Sequence, residues 1–293
     1  MITMEGARRS IAGLALVAAV AWGSQATVSA GRLRVLIATD ERAADVGEDM
    51  NKNASMLMFE IGRQVPANLL IWQAVPPQRF TAQSIMTAIN GLEVDPDDAI
   101  LFYYSGHGAF DPQRMTYVTA SGDNGMTPLF ASDIRQALEA RGARLTVVMF
   151  DCCNSLRPVN GPLIAPAPAN LPPVTQISPL FDGLFFQPRG VVMVESSAPG
   201  EYALVLPQTR AGKAKTAHGS LFTSELVGTF YKNQARGMSW PDVCRTTQAQ
   251  VDAAFGSICP GGRLTLGTGE VTFQRGQTIM AWIDGARIAI REE

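Results

Sequence analysis

The chain has 293 residues, of which 46% are hydrophobic and 17% are charged, and its formal net charge at pH 7 is −2. This composition is typical of a folded protein and argues against a disordered one. The charge balance argues against a nucleic-acid partner, because domains that bind nucleic acid usually carry a basic stripe. The length fits one large α/β domain or two smaller ones.

The first 30 residues have the pattern of an export signal. Arg8 and Arg9 supply positive charge, residues 11–22 form an apolar stretch, and residues 28–30 (VSA) fit the positions before a signal-peptide cleavage point. The apolar stretch is about a dozen residues long, which is too short to span a bilayer comfortably. We predict a signal peptide over 1–30 and an exported product, either periplasmic or secreted. An uncleaved N-terminal anchor is the alternative, and a membrane would be a partner only through that segment.

Beyond the signal segment, apolar patterns typical of strands and helices alternate along the chain. This alternation favours a mostly parallel central β-sheet sandwiched by helices, in one domain over 31–293. Thr81 is the predicted N-cap of the second helix, and residues 116–120 are expected to belong to a short hairpin. The predicted strands are 33–38, 68–74, 99–104, 145–150, 190–194 and 277–283, and the predicted helices are 47–63, 82–92, 132–140, 221–231 and 240–255.

A proline-rich segment, residues 156–189, interrupts this alternation. Eight prolines lie between Pro158 and Pro188, inclusive. Proline lacks a backbone donor and has a fixed φ angle, so such a segment is not expected to form regular helix or a central strand. We therefore predict a long loop at about 156–189.

Two polar segments, residues 105–108 (SGHG) and 151–155 (DCCNS), follow predicted strands directly. Because the carboxyl ends of parallel strands meet at one edge of a sheet, His107 and a cysteine can face each other across one crevice. A thiolate is a nucleophile and an imidazole can take the thiol proton, so this pair suits covalent acyl transfer. Alternation along a strand sends Cys152 and Cys153 to opposite sides, but it does not decide which of them enters the crevice.

An oxyanion hole is expected beside this pair. Gly108 follows the histidine and has no side chain to block the approach to its amide. Its N–H and that of the nucleophilic cysteine are the natural donors to a tetrahedral intermediate. The other histidine of the chain, His218, lies in a polar stretch before a helix and is expected at the surface.

An export signal changes what the other two cysteines imply, because disulfides persist in oxidising compartments. A disulfide between Cys244 and Cys259 would close a loop of about 15 residues and contribute roughly 3 kcal/mol. Two free buried thiols are the alternative. A bridge between the adjacent Cys152 and Cys153 would be strained. There is no CxxC pair, so neither structural zinc nor a thioredoxin-type motif is expected.

The two strand-end motifs resemble the His-Gly and Asp-x-Cys-x-Ser signatures of the caspase-like cysteine peptidases. Within that family the resemblance is closest to the metacaspases and their bacterial relatives, the orthocaspases. His107 precedes Cys153 by 46 positions, which is similar to the spacing in caspases, and residues 219–224 (GSLFTS) resemble the entry to a late helix of the family. The resemblance covers roughly 33–282. It implies a caspase-like fold and a thiol protease of the hydrolase class with His107 and Cys153 as its catalytic dyad, leaving Cys152 as a buried neighbour.

The same resemblance implies a substrate preference. In metacaspase-like enzymes, acids at the positions of Asp151 and Asp40 and the serine at the position of Ser105 bind a basic P1 side chain. The physical reason is that a carboxylate in a desolvated slot stabilises a guanidinium through charged hydrogen bonds. We therefore expect an endopeptidase that acts on a protein or peptide substrate after Arg or Lys. For Asp40 and Ser105, a role in the local turn is the alternative.

The P1 preference and the resemblance each raise a further question. Arg157 and Arg189 bound the proline-rich segment, so self-cleavage near Arg189 is one hypothesis and an uncut loop is the other. Metacaspases often need calcium, so calcium dependence is a further question. The aspartates that could bind it (Asp111, Asp123 and Asp182) have no diagnostic spacing, and no metal is assigned.

The sequence departs from the family pattern directly after the nucleophile. Residues 154–156 are Asn-Ser-Leu, whereas the family usually has His-Ser-Gly there. The missing glycine removes backbone freedom from the loop that carries Cys153, which affects catalytic efficiency more than the fold. A non-catalytic caspase-like domain that binds a peptide or a partner is therefore the alternative function.

Overall fold

The computed structural model describes residues 31–123, 127–153, 173–206, 209–211, 214–265 and 271–291. The predicted signal segment, residues 154–156 and Arg157 lie outside the described residues. Within them, none of the helices is both long enough and apolar enough to cross a membrane.

The described residues form fourteen strands and six α-helices. The strands are β1 (Leu33–Thr39), β2 (Leu70–Ala74), β3 (Ala99–Ser105), β4 (Gly108–Asp111), β5 (Met115–Val118), β6 (Leu129–Phe130), β7 (Leu145–Asp151), β8 (Gly190–Glu195), β9 (Thr209–Ala211), β10 (Ala214–Thr216), β11 (Arg263–Thr265), β12 (Val271–Phe273), β13 (Met280–Ile283) and β14 (Ala286–Arg287). The helices are α1 (Gly47–Gly62), α2 (Ala82–Asn90), α3 (Ala131–Glu139), α4 (Pro179–Phe181), α5 (Leu221–Asn233) and α6 (Trp240–Ile258).

A seven-stranded sheet in the spatial order β2-β1-β3-β7-β8-β13-β14 is the centre of the fold. Its first five strands are parallel, whereas β13 pairs with β8, and β14 with β13, in the antiparallel direction. The predicted architecture of a mostly parallel sheet flanked by helices is thus confirmed. A small antiparallel sheet, β4-β5-β6, includes the predicted hairpin.

The inner strands are buried on both faces, which explains their unbroken apolar sequences. In β3, Leu101 and Tyr103 contribute to the core that α1, α5 and α6 cover, while Phe102 and Tyr104 contribute to the core that α2 and α3 cover. Successive residues of β3 therefore pack against helices on opposite faces of the sheet. This packing holds the carboxyl ends of β3 and β7 in fixed positions.

Local sequence signals account for several of the helix boundaries. Thr81 caps α2 as predicted, because its hydroxyl accepts a hydrogen bond from the backbone N–H of Ser84 in a reciprocal capping box. The end of the proline-rich segment is helical rather than a loop: α4 continues as a π-helical turn over residues 182–186. Pro179 is compatible with this helix because it occupies the first turn, where a backbone donor is not needed.

Cys244 and Cys259 do not form the predicted disulfide. Both are free, buried thiols, and they lie near opposite ends of α6. Fifteen residues of helix separate their backbones by about 22 Å at a rise of 1.5 Å per residue, whereas a disulfide needs Cα atoms within about 7 Å. A spacing of 15 residues is compatible with a disulfide across a loop but not with one along a single helix.

Candidate active site

The register of β3 and β7 brings the two predicted motifs to the same place. Ser105 lies directly opposite Asp151 in this parallel pair, and the N–H of Gly106 donates to the carbonyl of Asp151 at 3.3 Å. The segments that carry His107 and Cys153 therefore leave the sheet side by side. The loops that carry these two residues thus lie next to each other at the carboxyl ends of the strands.

Backbone hydrogen bonds fix the position of His107. Its carbonyl oxygen accepts from the hydroxyl of Tyr104 at 2.7 Å and from the N–H of Thr119 at 3.1 Å. Tyr104 is fully buried, and burial raises the pKa of its hydroxyl well above the usual value, so it remains a neutral donor. The backbone of His107 is thus bonded both to the core, through Tyr104, and to the residue that follows β5, Thr119.

Gly108 lies in close contact with the cysteine pair. A Cβ atom at this position would stand 2.5 Å from Sγ of Cys152 and 2.9 Å from the carbonyl oxygen of Cys153. Gly108 faces Val118 across β4 and β5. In an antiparallel ladder, hydrogen-bonded and non-hydrogen-bonded pairs of residues alternate. His107 and Thr119 form a hydrogen-bonded pair. The next pair, Gly108 and Val118, is therefore not hydrogen-bonded, and the N–H of Gly108 points away from β5. This orientation agrees with its expected role as an oxyanion donor.

The two cysteines differ in their surroundings, as the resemblance implies. Cys152 is 3% exposed and belongs to the core beneath α2 and α3, whereas Cys153 is partly exposed. The thiol of Cys153 lies 3.7 Å from the carbonyl oxygen of Ala203, to which it can donate a hydrogen bond. Burial raises the pKa of Cys153 to about 11, and the charges of Asp151 and Asp45 act in the same direction. The thiol is therefore protonated at neutral pH and needs a base.

Asp45 is a residue of the site that the sequence did not reveal. Its Oδ1 lies 2.9 Å from Nε2 of His107. The residue belongs to the turn between β1 and α1, where one acid among several carries no periodic signal. The site therefore contains a cysteine, a histidine and a carboxylate.

Asp151 is buried on the α1 and α5 side of the sheet, where its carboxylate accepts several hydrogen bonds. The donors include the hydroxyl of Thr223 at 2.6 Å, the amide of Asn53 at 3.2 Å, the hydroxyl of Tyr103 at 3.3 Å and the hydroxyl of Ser220. Burial raises the pKa of Asp151, while these hydrogen bonds act in the opposite direction. The acid is held in place by donors from three elements.

Ser105 joins the same network and is also buried. Its hydroxyl accepts from Asn53 at 2.9 Å and lies 2.9 Å from the sulfur of Met50. Asp49, an acid in the first turn of α1, accepts hydrogen bonds from the backbone N–H groups of His218 and Gly219 at 3.1 and 3.0 Å. Sequence reasoning missed both Asp49 and Asn53, because polar residues in the first turns of a helix are common at surfaces.

Asp40 does not share the hydrogen bonds of Asp151, with which it was expected to line S1. Its carboxylate accepts from the backbone N–H and the hydroxyl of Ser121, at 2.9 and 2.5 Å. Ser121 begins a turn that packs beside α2 through the hydrogen bond between Asp123 and Ala82. Asp40 thus lies on the opposite face of the sheet from Asp151. Its role as a turn residue, the stated alternative, agrees with its backbone contacts.

The aspartates considered for calcium are dispersed. Asp111 accepts from the backbone of the turn that follows β4, Asp123 from the N–H of Ala82, and Asp182 from the side chain of Gln187. Each carboxylate already holds a neighbouring group at a separate place in the fold. Among the described residues there is no group of three or more His, Cys, Asp or Glu side chains that could hold a metal ion. These three residues do not fit a shared calcium site.

Comparisons with known proteins agree with this fold. The solved structure of caspase-1 from Spodoptera frugiperda is similar to this chain with a TM-score of 0.53 at 12% sequence identity, covering 90% of this chain and 93% of that one. This likeness shows a caspase-like fold, and a family model described as "Caspase domain" matches residues 72–263. None of the curated proteins compared with the sequence matches it.

The caspase-like fold and the family match support a cysteine peptidase, which is a hydrolase, and caspase-like proteases act on protein substrates. Because the family match covers more than half of the sequence, the chain belongs to the caspase-domain family.

Proposed function

We propose that this protein is an exported, metacaspase-like cysteine endopeptidase that cleaves after Arg or Lys through a Cys153–His107 dyad. The observation that carries the proposal is the register of β3 with β7, which sets the His107 and Cys153 loops against each other at Gly108. The export component depends on the sequence of the first 30 residues and is tested separately below.

The chemistry follows from these groups. His107 takes the proton of the Cys153 thiol as Sγ attacks the scissile carbonyl carbon and forms a C–S bond. The N–H groups of Gly108 and Cys153 stabilise the negative oxygen of the tetrahedral intermediate. His107 then gives its proton to the leaving amine as the C–N bond breaks. Water hydrolyses the thioester with His107 as the base, and the thiol is restored.

An extended segment over residues 202–206 supplies a place for the substrate backbone. Leu204 directs its N–H to the side chain of Gln277 at 3.0 Å, and its carbonyl accepts from the N–H of Leu221 at 2.8 Å. Because successive residues of an extended chain alternate, Ala203 and Val205 direct their backbone groups the other way, towards Cys153. A peptide that adds a strand here would place its backbone beside the thiol.

The preference for a basic P1 side chain is supported by the charge on the α1 and α5 side of the crevice. Asp151 and Ser105 share the amide of Asn53 as a donor. A guanidinium or ammonium group that reaches Asp151 would gain charged hydrogen bonds in a desolvated place. Because Ser105 and Asp151 are buried, the flexible side chain of Met50 must move aside for P1 to reach them.

Turnover of short fluorogenic peptides tests the proposal. The set carries Arg, Lys, Asp or Ala at P1, and it is measured with and without calcium for the wild type, Cys153→Ala, Cys152→Ala and His107→Ala. We expect cleavage of the Arg and Lys peptides that Cys153→Ala and His107→Ala abolish and Cys152→Ala retains. Activity that survives in Cys153→Ala, or a preference for Asp at P1, would overturn it.

Export is tested on the full chain expressed in a bacterial host. We expect mature protein in the periplasm or medium with Gly31 as its first residue. A product that retains residues 1–30 in the cytoplasm contradicts export and leaves the peptidase component unaffected.

The alternative function is that of a non-catalytic peptide-binding domain. The protonated thiol of Cys153 is the observation that favours it. Its Sγ is engaged by the carbonyl of Ala203, and its pKa is about 11. Calorimetric titration of wild type and Cys153→Ala with an Arg-terminated peptide separates the two functions. Equal binding without turnover by the wild type would favour the binding domain.

A further inference from the structure

We propose that Asp45 is a positioning residue for His107, which it holds through Nε2 so that Nδ1 is the nitrogen that accepts the thiol proton. The inference deepens the proposed function and assumes that His107 is the base of the reaction.

The atoms in contact determine the tautomer of the neutral imidazole. Oδ1 of Asp45 lies 2.9 Å from Nε2 of His107, and an ionised carboxylate can only accept a hydrogen bond. Nε2 must therefore carry the hydrogen, which leaves the lone pair of the neutral ring on Nδ1. The two side chains are 13% and 21% exposed, so solvent competes with this contact less than at an open surface.

The backbone around Asp45 makes it a fixed partner rather than a mobile one. The N–H of Asp40 donates to the carbonyl of Ser105 at 2.9 Å, and the N–H of Gly47 donates to the carbonyl of Ala43 at 2.8 Å. Residue 47 must be glycine for this turn to close, because a Cβ there would collide with the carbonyl of Glu41. The turn that carries Asp45 is thus attached to the residue two positions before His107.

The charge of the carboxylate also contributes to the raised pKa of Cys153, after burial and the charge of Asp151. When the proton passes from Sγ to Nδ1, the imidazole becomes a cation and the Nε2 proton stays in place. Asp45 then faces a positive ring, so it orients the base before the transfer and balances its charge afterwards. In the resting state the same charge opposes premature ionisation of the thiol.

Nuclear magnetic resonance tests the contact without any reference to activity. The chain has two histidines, so long-range proton–nitrogen spectra of the wild type and of His218→Gln assign the ring of His107. We expect hydrogen on Nε2 and slow exchange of that hydrogen with water. Rapid exchange is expected in Asp45→Ala. A ring with hydrogen on Nδ1 and none on Nε2, or exchange unchanged in Asp45→Ala, would overturn the proposal.

Kinetics on the Arg peptide give the second readout. We expect Asp45→Ala and the isosteric Asp45→Asn to lower kcat by roughly 10- to 100-fold with KM changed less than about twofold, and Asp45→Glu to recover part of the loss. Glu41→Gln is the matched control, because it removes one charge from the same turn without a hydrogen bond to His107 and should keep wild-type rates. Wild-type kcat in both Asp45→Ala and Asp45→Asn would contradict the assignment.

Alkylation of Cys153 by iodoacetamide separates a failure of this proposal from a failure of the proposed function. If His107→Ala slows alkylation while the spectra and kcat of the Asp45 variants match the wild type, the dyad stands and the role of Asp45 is wrong. If His107→Ala is alkylated as fast as the wild type, His107 does not activate Cys153. Both the proposed dyad and the proposed role of Asp45 then fail.

Discussion

The backbone of Gly108 lies against the side chain of Cys152, so closely that a Cβ atom at residue 108 would stand 2.5 Å from Sγ. The contact joins the loop of the base to the loop of the nucleophile through the buried cysteine. Cys152, which takes no part in the proposed chemistry, fills the space between these two loops.

Gly108→Ala is expected to destabilise the protein by roughly 1–3 kcal/mol, the usual cost of inserting a methyl group into a packed core. It should also lower kcat at least tenfold, because the loops must separate to accommodate the new atom. Urea unfolding and peptide turnover measure the two effects. Gly237→Ala is the matched control, since a Cβ there meets no atom within 4 Å. Equal behaviour of the two variants would contradict the packing described for Gly108.

The buried thiols make stability depend on alkaline pH. Burial raises the pKa of Cys153 to about 11 and that of Cys244 to about 12, whereas an unfolded cysteine titrates near about 8.5. Because the folded pKa values are the higher ones, the protonated thiols favour the folded state. That contribution is fully present below about pH 8.5 and is lost as the pH rises through the folded values.

We therefore expect the free energy of unfolding in urea to fall between pH 8 and pH 10 by roughly 1–2 kcal/mol for each such thiol. Cys244→Ala should reduce this pH-dependent fall, because it removes one titrating group far from the crevice. An identical pH dependence in the wild type and in Cys244→Ala would show that the thiol titrates normally in the folded protein.

Asp151 and Asp40 form a matched pair for testing P1 specificity, because both are buried acids at strand ends on opposite faces of the sheet. Asp151→Asn should lower kcat/KM for the Arg peptide by roughly 10- to 100-fold, since a charged hydrogen bond to P1 is lost. Asp40→Asn should leave the ratio of Arg to Ala cleavage unchanged, even if the enzyme is less stable. Equal loss of Arg preference in both variants would place Asp40 back in the pocket.

Self-cleavage after Arg189 is not expected in the folded enzyme. The N–H of Gly190 donates to the carbonyl of Arg144 at 3.0 Å, and the guanidinium of Arg144 binds the carbonyl of Pro188. The scissile bond is therefore held at the start of β8, whereas a protease needs several extended residues. Intact-mass analysis of active enzyme, with Cys153→Ala as control, should find no fragment that begins at Gly190. A fragment that depends on Cys153 would contradict this expectation.

Much of the fold could be predicted because its inner strands are buried on both faces. The apolar sequences of β3 and β7 end where the strands end, so His107 and Cys153 could be assigned to one edge of the sheet. The face of the sheet on which Asp40 lies depends on the strand register, which the sequence does not give. Thr39, not Asp40, lies level with Ser105 and thus with Asp151, and a difference of one residue directs a side chain to the other face.

Asp45 could not be found for a different reason. It contacts His107 across 62 positions of sequence, from a turn with neither helical nor strand periodicity. Only the three-dimensional path of that turn identifies it. The same holds for Cys244 and Cys259, whose separation depends on the conformation of every residue between them.

The helices on both faces of β3 and β7 have a consequence for how the protein opens. Amide hydrogens in strands covered on both sides exchange with solvent only when a large part of the structure unfolds, whereas those of partly exposed outer strands exchange through local opening. The outer strands here are β2 and β14, whose residues are partly or largely exposed. Local opening at either end of the sheet thus leaves the strands that carry the histidine and the cysteine intact, and the catalytic groups should keep their mutual geometry until the domain unfolds as a whole.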